Sequence, residues 1–204
     1  VTGLKERNFY GTGRSLDLLL NTSDDKNQFK LITTDRLSYE NDADISYSIN
    51  YKQEDFSKAS SYKLDTFSSG IGIGYNIDNN IYHNIDFEYA LKDYAVTNSS
   101  TVSNTILNSS GSNISYLLIN NLRYSTLNRG FVSKTGNYIN FNNIVETPTS
   151  SNNGFIKNLV TAKKYFSNER SIYALQAKFG NILSLNNKDI LTDNKFSLGG
   201  RSLR

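Results

Sequence analysis

The strongest constraint on the fold is a strict alternation of apolar and polar residues over residues 43–52. Ala43, Ile45, Tyr47, Ile49 and Tyr51 alternate with Asp, Ser, Ser, Asn and Lys. A period of two predicts a β-strand with one apolar and one polar face. The run of about ten residues fits a tilted membrane-spanning strand, whereas strands of soluble sandwiches usually have about five or six.

The same alternation recurs along the chain and predicts ten strand segments, the first of them partial. Besides residues 43–52, the segments are residues 5–10 (the partial one), 15–20, 29–33, 70–77, 84–92, 114–124, 138–145, 155–166 and 172–179. Short links near residues 11, 40, 79 and 168, with a moderately longer turn at 127–136, alternate with longer polar links at 23–27, 54–61, 96–113, 147–154 and from 183 onward. Tight turns at one rim and long loops at the other are typical of outer-membrane barrels. We therefore expect an all-β, antiparallel up-and-down transmembrane β-barrel.

Composition excludes several other classes. Apolar runs such as Leu18–Leu20 and Leu117–Ile119 are far short of the roughly 20 residues that a membrane-spanning helix needs. The absence of cysteine excludes disulfides, and a net charge of +3 without a clustered basic face does not indicate a nucleic-acid partner. The many Ser and Asn residues and the mean hydropathy of −0.49 would also fit a disordered chain. The regular alternation decides against disorder.

Catalytic or ligand-binding chemistry has little support in the residues. Asp86 and Glu88 would share a strand face about 7 Å apart, but among so many polar inward residues they indicate a solvated wall. His83 is the only histidine and has no partner for a triad or a metal site. Gly70, Gly72 and Gly74 alternate within a strand instead of opening a helix, so they do not form a phosphate loop; on an inner face they would make room for packed groups. We expect no catalytic residue, no cofactor and no metal site, and we expect that the protein is not an enzyme.

Three separated motifs carry a resemblance to a known family. They are Asn8-Phe9-Tyr10-Gly11-Thr12-Gly13, then Leu127-Asn128-Arg129-Gly130-Phe131 with Thr135-Gly136, and finally Phe196 to Arg204 with Gly199-Gly200. In this order they resemble two turns and the opening of the sixth extracellular loop in the BamA family of outer-membrane assembly factors, within the bacterial surface antigen superfamily. The site residues implied are Asn8, Gly11, Gly13, Arg129, Gly130 and Gly136 in the turns, and Gly199, Gly200 and Arg204 in loop six. Two departures are the Thr34-Asp35-Arg36 stretch and the Ser133-Lys134 pair, where the family carries prolines.

The resemblance implies that residues 1–204 cover the end of strand 2 through strand 11 of a 16-stranded barrel and half of loop six, with no complete separate domain. The chain starts at Val1 and has no methionine, which indicates a piece of a longer reading frame. The implied function is the folding and insertion of β-barrel proteins into the bacterial outer membrane, without a cofactor. The alternatives are a two-partner-secretion or autotransporter-assembly barrel of the same superfamily and, less well supported, a diffusion porin.

The resemblance also implies the partners and the location. The partners are the outer-membrane lipid bilayer, unfolded outer-membrane β-barrel clients and accessory lipoproteins that bind periplasmic repeats outside this sequence, with no nucleic acid. The location is the outer membrane of a bacterial cell. In such a barrel loop six folds back into the lumen, where its arginine, here Arg204, pairs with acidic residues of the inner wall.

Overall fold

A computed structural model describes residues 2–38, 43–128, 134–149, 154–168, 170–186 and 189–196. Its ten strands are β1 Thr2–Glu6, β2 Ser15–Ser23, β3 Lys26–Ser38, β4 Ala43–Asp55, β5 Tyr62–Asp78, β6 Ile81–Val96, β7 Gly111–Ser125, β8 Gly136–Glu146, β9 Phe155–Ser167 and β10 Ile172–Ser184. Two short helices lie in the connections, α1 Ser57–Ser60 and α2 Asn104–Asn108, and single 3-10 turns lie at Phe9–Gly11 and Thr192–Asn194.

The ten strands form one antiparallel sheet in the order of the sequence, from β1 to β10. Each strand pairs with the next one along the chain, so the sheet is an up-and-down meander. Within the described residues β1 and β10 each pair on one side only, and the sheet is not closed. The predicted all-β, antiparallel up-and-down arrangement of about ten strands is confirmed.

Several strands are longer than the alternation predicted. β5 has 17 residues and β6 has 16, whereas the sequence indicated residues 70–77 and 84–92. Most of the extra length lies at the long-loop end, where Tyr62 and Leu64 are buried and Lys63 between them is exposed. The two strands continue there because these inward side chains have a partner to pack against.

The predicted loop at residues 23–27 is a tight turn. Ser23 and Lys26 are paired across β2 and β3, which leaves only Asp24 and Asp25 in the turn. The sequence suggested a longer loop because all five residues are polar. The pairing of backbone amides and carbonyls does not depend on the polarity of the side chains, so the ladder extends to the last residue that the turn geometry allows.

The two faces of the sheet differ in chemistry. One face, here called the outer face, carries exposed apolar side chains on most strands, with Tyr47, Ile71, Phe87, Leu118, Phe141 and Phe179 among them. The other, the inner face, carries mostly polar residues, and its buried residues lie at the long-loop ends of β5 to β9. No helix in the described part of the chain is long and apolar enough to cross a membrane.

Candidate functional site

The candidate site is on the inner face, where the chain folds back after β10. Residues 189–196, here called the return segment, lie against strands β6, β8 and β9. Together with β4, β5, β6 and β7 this segment lines a chamber of about 510 Å³ at the long-loop end. The charged residues of its wall are Lys52, Glu54, Glu88, Lys92 and Asp193.

Lys92 is the electrostatic centre of the contact. Its ammonium group lies 3.4 Å from the Asp193 carboxylate of the return segment and 3.8 Å from the Glu146 carboxylate of β8. It also donates a hydrogen bond of 3.2 Å to the side-chain carbonyl of Asn194. The side chains of Lys92, Glu146 and Asp193 are only 11%, 3% and 12% exposed. Charged groups as buried as these need partners of opposite charge, and here both carboxylates are paired with the Lys92 ammonium group.

A second lysine holds the backbone of the return segment. Lys157 of β9 donates a hydrogen bond of 2.8 Å to the backbone carbonyl of Asn194, and its ammonium group lies 4.5 Å from the ring centre of Phe196. The Phe196 ring lies against Gly180 of β10, where a Cβ atom would come within 2.6 Å of the ring. Glycine at this position lets the ring approach the strand closely. Phe196 opens the predicted loop-six motif, so the described start of that motif lies on the inner wall.

An apolar cluster covers the long-loop end of the site. Tyr62 and Leu64 of β5, Tyr94 of β6, Ile106 of α2 and Leu191 of the return segment are buried together. Phe56, Val96 and Val102 pack around them. The cluster, here called the cap, therefore joins two strands, the connection between β6 and β7, and the return segment.

Both cap tyrosines remain neutral at ordinary pH. They lie at the long-loop ends of β5 and β6, where the outward neighbours Lys63, Asp65 and Asp93 are charged, beyond the apolar part of the outer face. Burial raises the pKa of Tyr62 to about 12, and the carboxylates of Asp193 and Glu54 add to the effect. Burial also raises the pKa of Tyr94, again with a contribution from Asp193.

The inward glycines of β5 make room for side chains of the neighbouring strands. A Cβ atom at Gly72 would overlap the carboxylate of Asp86 and lie 2.7 Å from the Ser46 hydroxyl, and one at Gly74 would overlap the Tyr82 hydroxyl. Arg123 lies over the Tyr82 ring, 4.8 Å from its centre. Asp86 accepts a hydrogen bond from Asn84. The sequence predicted that these glycines make room for packed groups, and side chains of the same inner face fill that room.

The first predicted turn motif forms a compact structure between β1 and β2. The Asn8 side chain accepts a hydrogen bond of 2.7 Å from the Gly13 amide, and the Asn8 carbonyl accepts one of 2.9 Å from Gly11. Gly11 and Gly13 have φ values of +72° and +79°, and Tyr10 has +52°. The two glycines are needed because this turn uses the left-handed region, which other residues seldom adopt.

The second turn motif is described in part. The Asn128 side chain accepts hydrogen bonds from the amides of Lys134 and Thr135, at 2.8 and 3.1 Å. Gly136 has a φ of +116° and would bring a Cβ atom to 2.8 Å from the Cα atom of Leu127. The other predicted site residues, Arg129, Gly130, Gly199, Gly200 and Arg204, lie outside the described residues.

Sequence reasoning did not identify the residues that hold the return segment. Lys92, Glu146, Lys157, Asp193 and Asn194 are ordinary polar residues in alternating or loop-like sequence, and their relation depends on contacts between residues far apart in the chain. One signal was present, because Ile190 and Leu191 are apolar residues within a stretch that otherwise reads as a polar loop. Among the described residues no group of three His, Cys, Asp or Glu side chains could hold a metal ion.

The model of one protein family, the Omp85 superfamily domain, matches residues 8–204. The chain belongs to the Omp85 superfamily. A search of the curated proteins found no match.

A comparison with solved structures agrees on the fold. The chain superimposes on the crystal structure of BamA from Haemophilus ducreyi lacking POTRA domains 1-3 with a TM-score of 0.80 and 19% sequence identity. The match covers 98% of this chain and 41% of that one, so the chain spans less than half of the BamA polypeptide it matches. The ten strands thus have the fold of part of a BamA barrel, and the predicted resemblance is confirmed at the level of family and fold.

Proposed function

We propose that this chain forms part of an outer-membrane barrel that folds and inserts other β-barrel proteins into the bacterial outer membrane. The observation that carries the proposal is the Omp85 superfamily match over residues 8–204, together with the BamA-like sheet. Neither a cofactor nor a catalytic group takes part. The partners are the lipid bilayer, unfolded β-barrel clients and accessory lipoproteins, with no nucleic acid.

The outer face supports a membrane location. Ile71, Ile73, Phe87 and Leu118 are between 42% and 50% exposed, and they lie in the middle of β5, β6 and β7. An apolar surface that extends over neighbouring strands needs an apolar solvent or partner, since soluble monomers rarely expose such a patch. Strands β2 to β9 each pair with a neighbouring strand on both sides, as a membrane-spanning sheet requires.

The inner face supports a role for the return segment as a lumenal closure. Lys92 and Lys157 tie it to β6 and β9, and the cap places α2 over it. The segment therefore narrows the long-loop end of the lumen. We propose that this closure keeps the outer membrane sealed while client strands are added at an edge of the barrel, where unpaired backbone groups template pairing.

The location is tested in the full-length protein on whole cells. A cysteine in place of Ser99, in the connection between β6 and β7, should react with a membrane-impermeant maleimide. A cysteine in place of Asn79, in the β5–β6 turn, should react only after the outer membrane is opened. Reaction of intact cells at Asn79 but not at Ser99 would reverse the proposed topology.

The activity is tested by depleting the full-length protein and following newly made outer-membrane proteins by their heat-modifiable gel mobility. If the protein is an assembly factor, its depletion should leave many different β-barrel proteins unfolded within one generation. Loss of one secreted protein with normal barrel assembly would support a two-partner-secretion transporter instead. A second experiment compares Arg204→Ala with the control variant Arg201→Ala, and only Arg204→Ala should lower assembly. Arg204→Lys should restore little of the activity, because a guanidinium can make two parallel hydrogen bonds and the lysine ammonium group cannot.

A further inference from the structure

Four asparagines on neighbouring strands form a continuous hydrogen-bonded line across the sheet. Asn120 of β7 donates to Asn143 of β8 at 3.3 Å, and Asn143 donates to Asn158 of β9 at 2.7 Å. Asn158 then donates to Asn181 of β10 at 3.0 Å. Each pair is directly opposed in the strand register. We call these four residues the asparagine line.

The asparagine line lies on the apolar outer face. The residues two positions away on each strand point the same way, and all of them are apolar. They are Leu118 and Leu122 on β7, Phe141 and Val145 on β8, Ile156 and Val160 on β9, and Phe179 and Leu183 on β10. On the other side of Asn120 the same row continues through Ile85, Ile73 and Ile45, which are apolar. The row is thus apolar on β4, β5 and β6, and the hydrogen-bonded line of asparagines is confined to β7–β10.

The apolar pattern alone does not fix the register of these four strands. A slip of one residue would turn apolar side chains inward, whereas a slip of two residues keeps them on the same face. After a slip of two in one direction Phe141 would oppose Ala162, and in the other Ile139 would oppose Val160, so these apolar residues would still meet apolar residues. The inner face of these strands is largely polar, and its contacts that depend on register are those of Glu146, Lys157 and Gly180 with the return segment.

The asparagine line distinguishes the native register from the slipped ones. A two-residue slip between β8 and β9 would place Asn143 opposite Ile156 or Val160, and Asn158 opposite Phe141 or Val145. Both amides would lose their partners. In hydrocarbon, where no water replaces a lost hydrogen bond, an unsatisfied amide is costly.

The line also has an open end. Among the described strands β10 pairs only with β9, and the Asn181 side chain is bonded there to Asn158 alone. A primary amide has two donor hydrogens and a carbonyl with two lone pairs, so Asn181 keeps hydrogen-bonding capacity on the side of the free strand edge. The backbone groups of that edge need a partner strand in a membrane.

We propose that the asparagine line specifies strand pairing on the lipid-facing side of the sheet. It fixes the register of β7–β10, and at Asn181 it offers a hydrogen-bond site to the strand that pairs with the free edge of β10. That strand carries an amide or hydroxyl side chain on its outer face directly opposite Asn181. This inference rests on the proposed membrane location, which the cysteine-labelling experiment tests separately, and does not depend on client assembly.

The register is measured by disulfide trapping in the full-length protein within the outer membrane. The cysteine pair Phe141→Cys with Val160→Cys reports the native register. The pairs Phe141→Cys with Ala162→Cys and Ile139→Cys with Val160→Cys report slips of two residues in the two directions. Each pair is introduced into the wild-type background, into Asn143→Leu/Asn158→Leu, and into the control Asn142→Leu, which makes the same substitution on the inner face. Disulfides are quantified by mass spectrometry after alkylation of free thiols.

In the wild-type and Asn142→Leu backgrounds only the native pair should form a disulfide. In Asn143→Leu/Asn158→Leu the slipped pairs should rise about tenfold or more, since two amide hydrogen bonds no longer penalise the slip. Slipped pairs that stay at the wild-type level in this folded variant would overturn the proposal. The single variant Asn158→Leu provides the same readout if the double variant fails to insert; an unchanged register in that variant would equally count against the proposal.

The open end is tested by amide hydrogen exchange of the intact protein. Asn181→Leu should speed exchange in a peptide covering residues 172–184 about tenfold and leave the peptide covering 111–125 unchanged. The control Gln176→Leu changes an inward residue of the same strand and should have no such effect. Equal exchange of residues 172–184 in Asn181→Leu and in the wild type would show that the line ends at Asn181.

Discussion

Lys92 lies between two buried carboxylates, and its substitution tests how strongly the return segment is held. In Lys92→Met the carboxylates of Glu146 and Asp193 lose their common cation. Removing one partner of a buried ion pair costs about 3–5 kcal/mol because the remaining charge is left uncompensated. We expect a loss of stability near the lower limit, since the chamber admits water. Urea unfolding of the full-length protein in lipid measures it.

The control for Lys92 is the exposed ion pair of Lys63 and Asp55, whose charged groups lie 3.1 Å apart. Lys63→Met should cost less than about 1 kcal/mol, as is typical of surface pairs. The double variant Lys92→Met/Glu146→Gln should recover part of the loss, because one stranded charge is removed. Equal losses for Lys92→Met and Lys63→Met would show that the buried cluster does not hold the segment.

Gly136 makes a second prediction at this scale, with Gly111 as its matched control. Both glycines have positive φ, at +116° and +94°, so alanine introduces backbone strain at either position. At Gly136 the added Cβ would also meet the backbone of Thr126 and Leu127, whereas nothing lies within 4 Å of it at Gly111. We expect Gly136→Ala to cost at least about 2 kcal/mol and Gly111→Ala about 1 kcal/mol. Unfolding midpoints of the two variants compare them directly, and equal values would contradict the backbone clash.

The strands were predictable from sequence and the short helices were not. β4 stands out because Ile45, Tyr47 and Ile49 alternate with polar residues. The structure places all three on the outer face, where Tyr47 is 48% exposed and Ile49 is 46% exposed. α2 has five residues, too few to show a helical period among Ser, Thr and Asn. Its sequence signal was local, since Ser103 caps the helix by accepting a hydrogen bond of 3.4 Å from the Ile106 amide.

The position of α2 depends on one side chain, which makes the element testable. Ile106 is 1% exposed in the cap, whereas its neighbour Leu107 is 42% exposed. In Ile106→Ala the helix loses its buried contact, a loss of about 2–5 kcal/mol for a core isoleucine, and the connection between β6 and β7 should be cut faster by added protease. Leu107→Ala should leave the cleavage rate unchanged. If both variants are cut at the wild-type rate, the cap does not hold this connection.

For the whole molecule, the family resemblance predicted the fold but not the residues that hold the return segment. The turn around Asn8, Gly11 and Gly13 carries its conformation in its own sequence, because the left-handed positions require glycine. The contact between Lys92 and Asp193 has no such local cause. It joins residues 101 positions apart, and it forms only after the strands have brought the long-loop ends together. Local patterns therefore predict the strands and turns, while the return segment follows from tertiary packing.

The two unpaired edges of the sheet give the last prediction. A polypeptide of residues 1–204 alone exposes one edge of β1 and one edge of β10, and the two strands do not pair with each other in the described structure. In hydrocarbon each unpaired backbone group costs several kcal/mol, and free edges also pair between copies. Refolded in detergent, this polypeptide should aggregate or remain largely unfolded and show no band that shifts on heating, whereas the full-length protein should show one. A monodisperse, heat-modifiable monomer of residues 1–204 would mean that these ten strands close into a small barrel of their own.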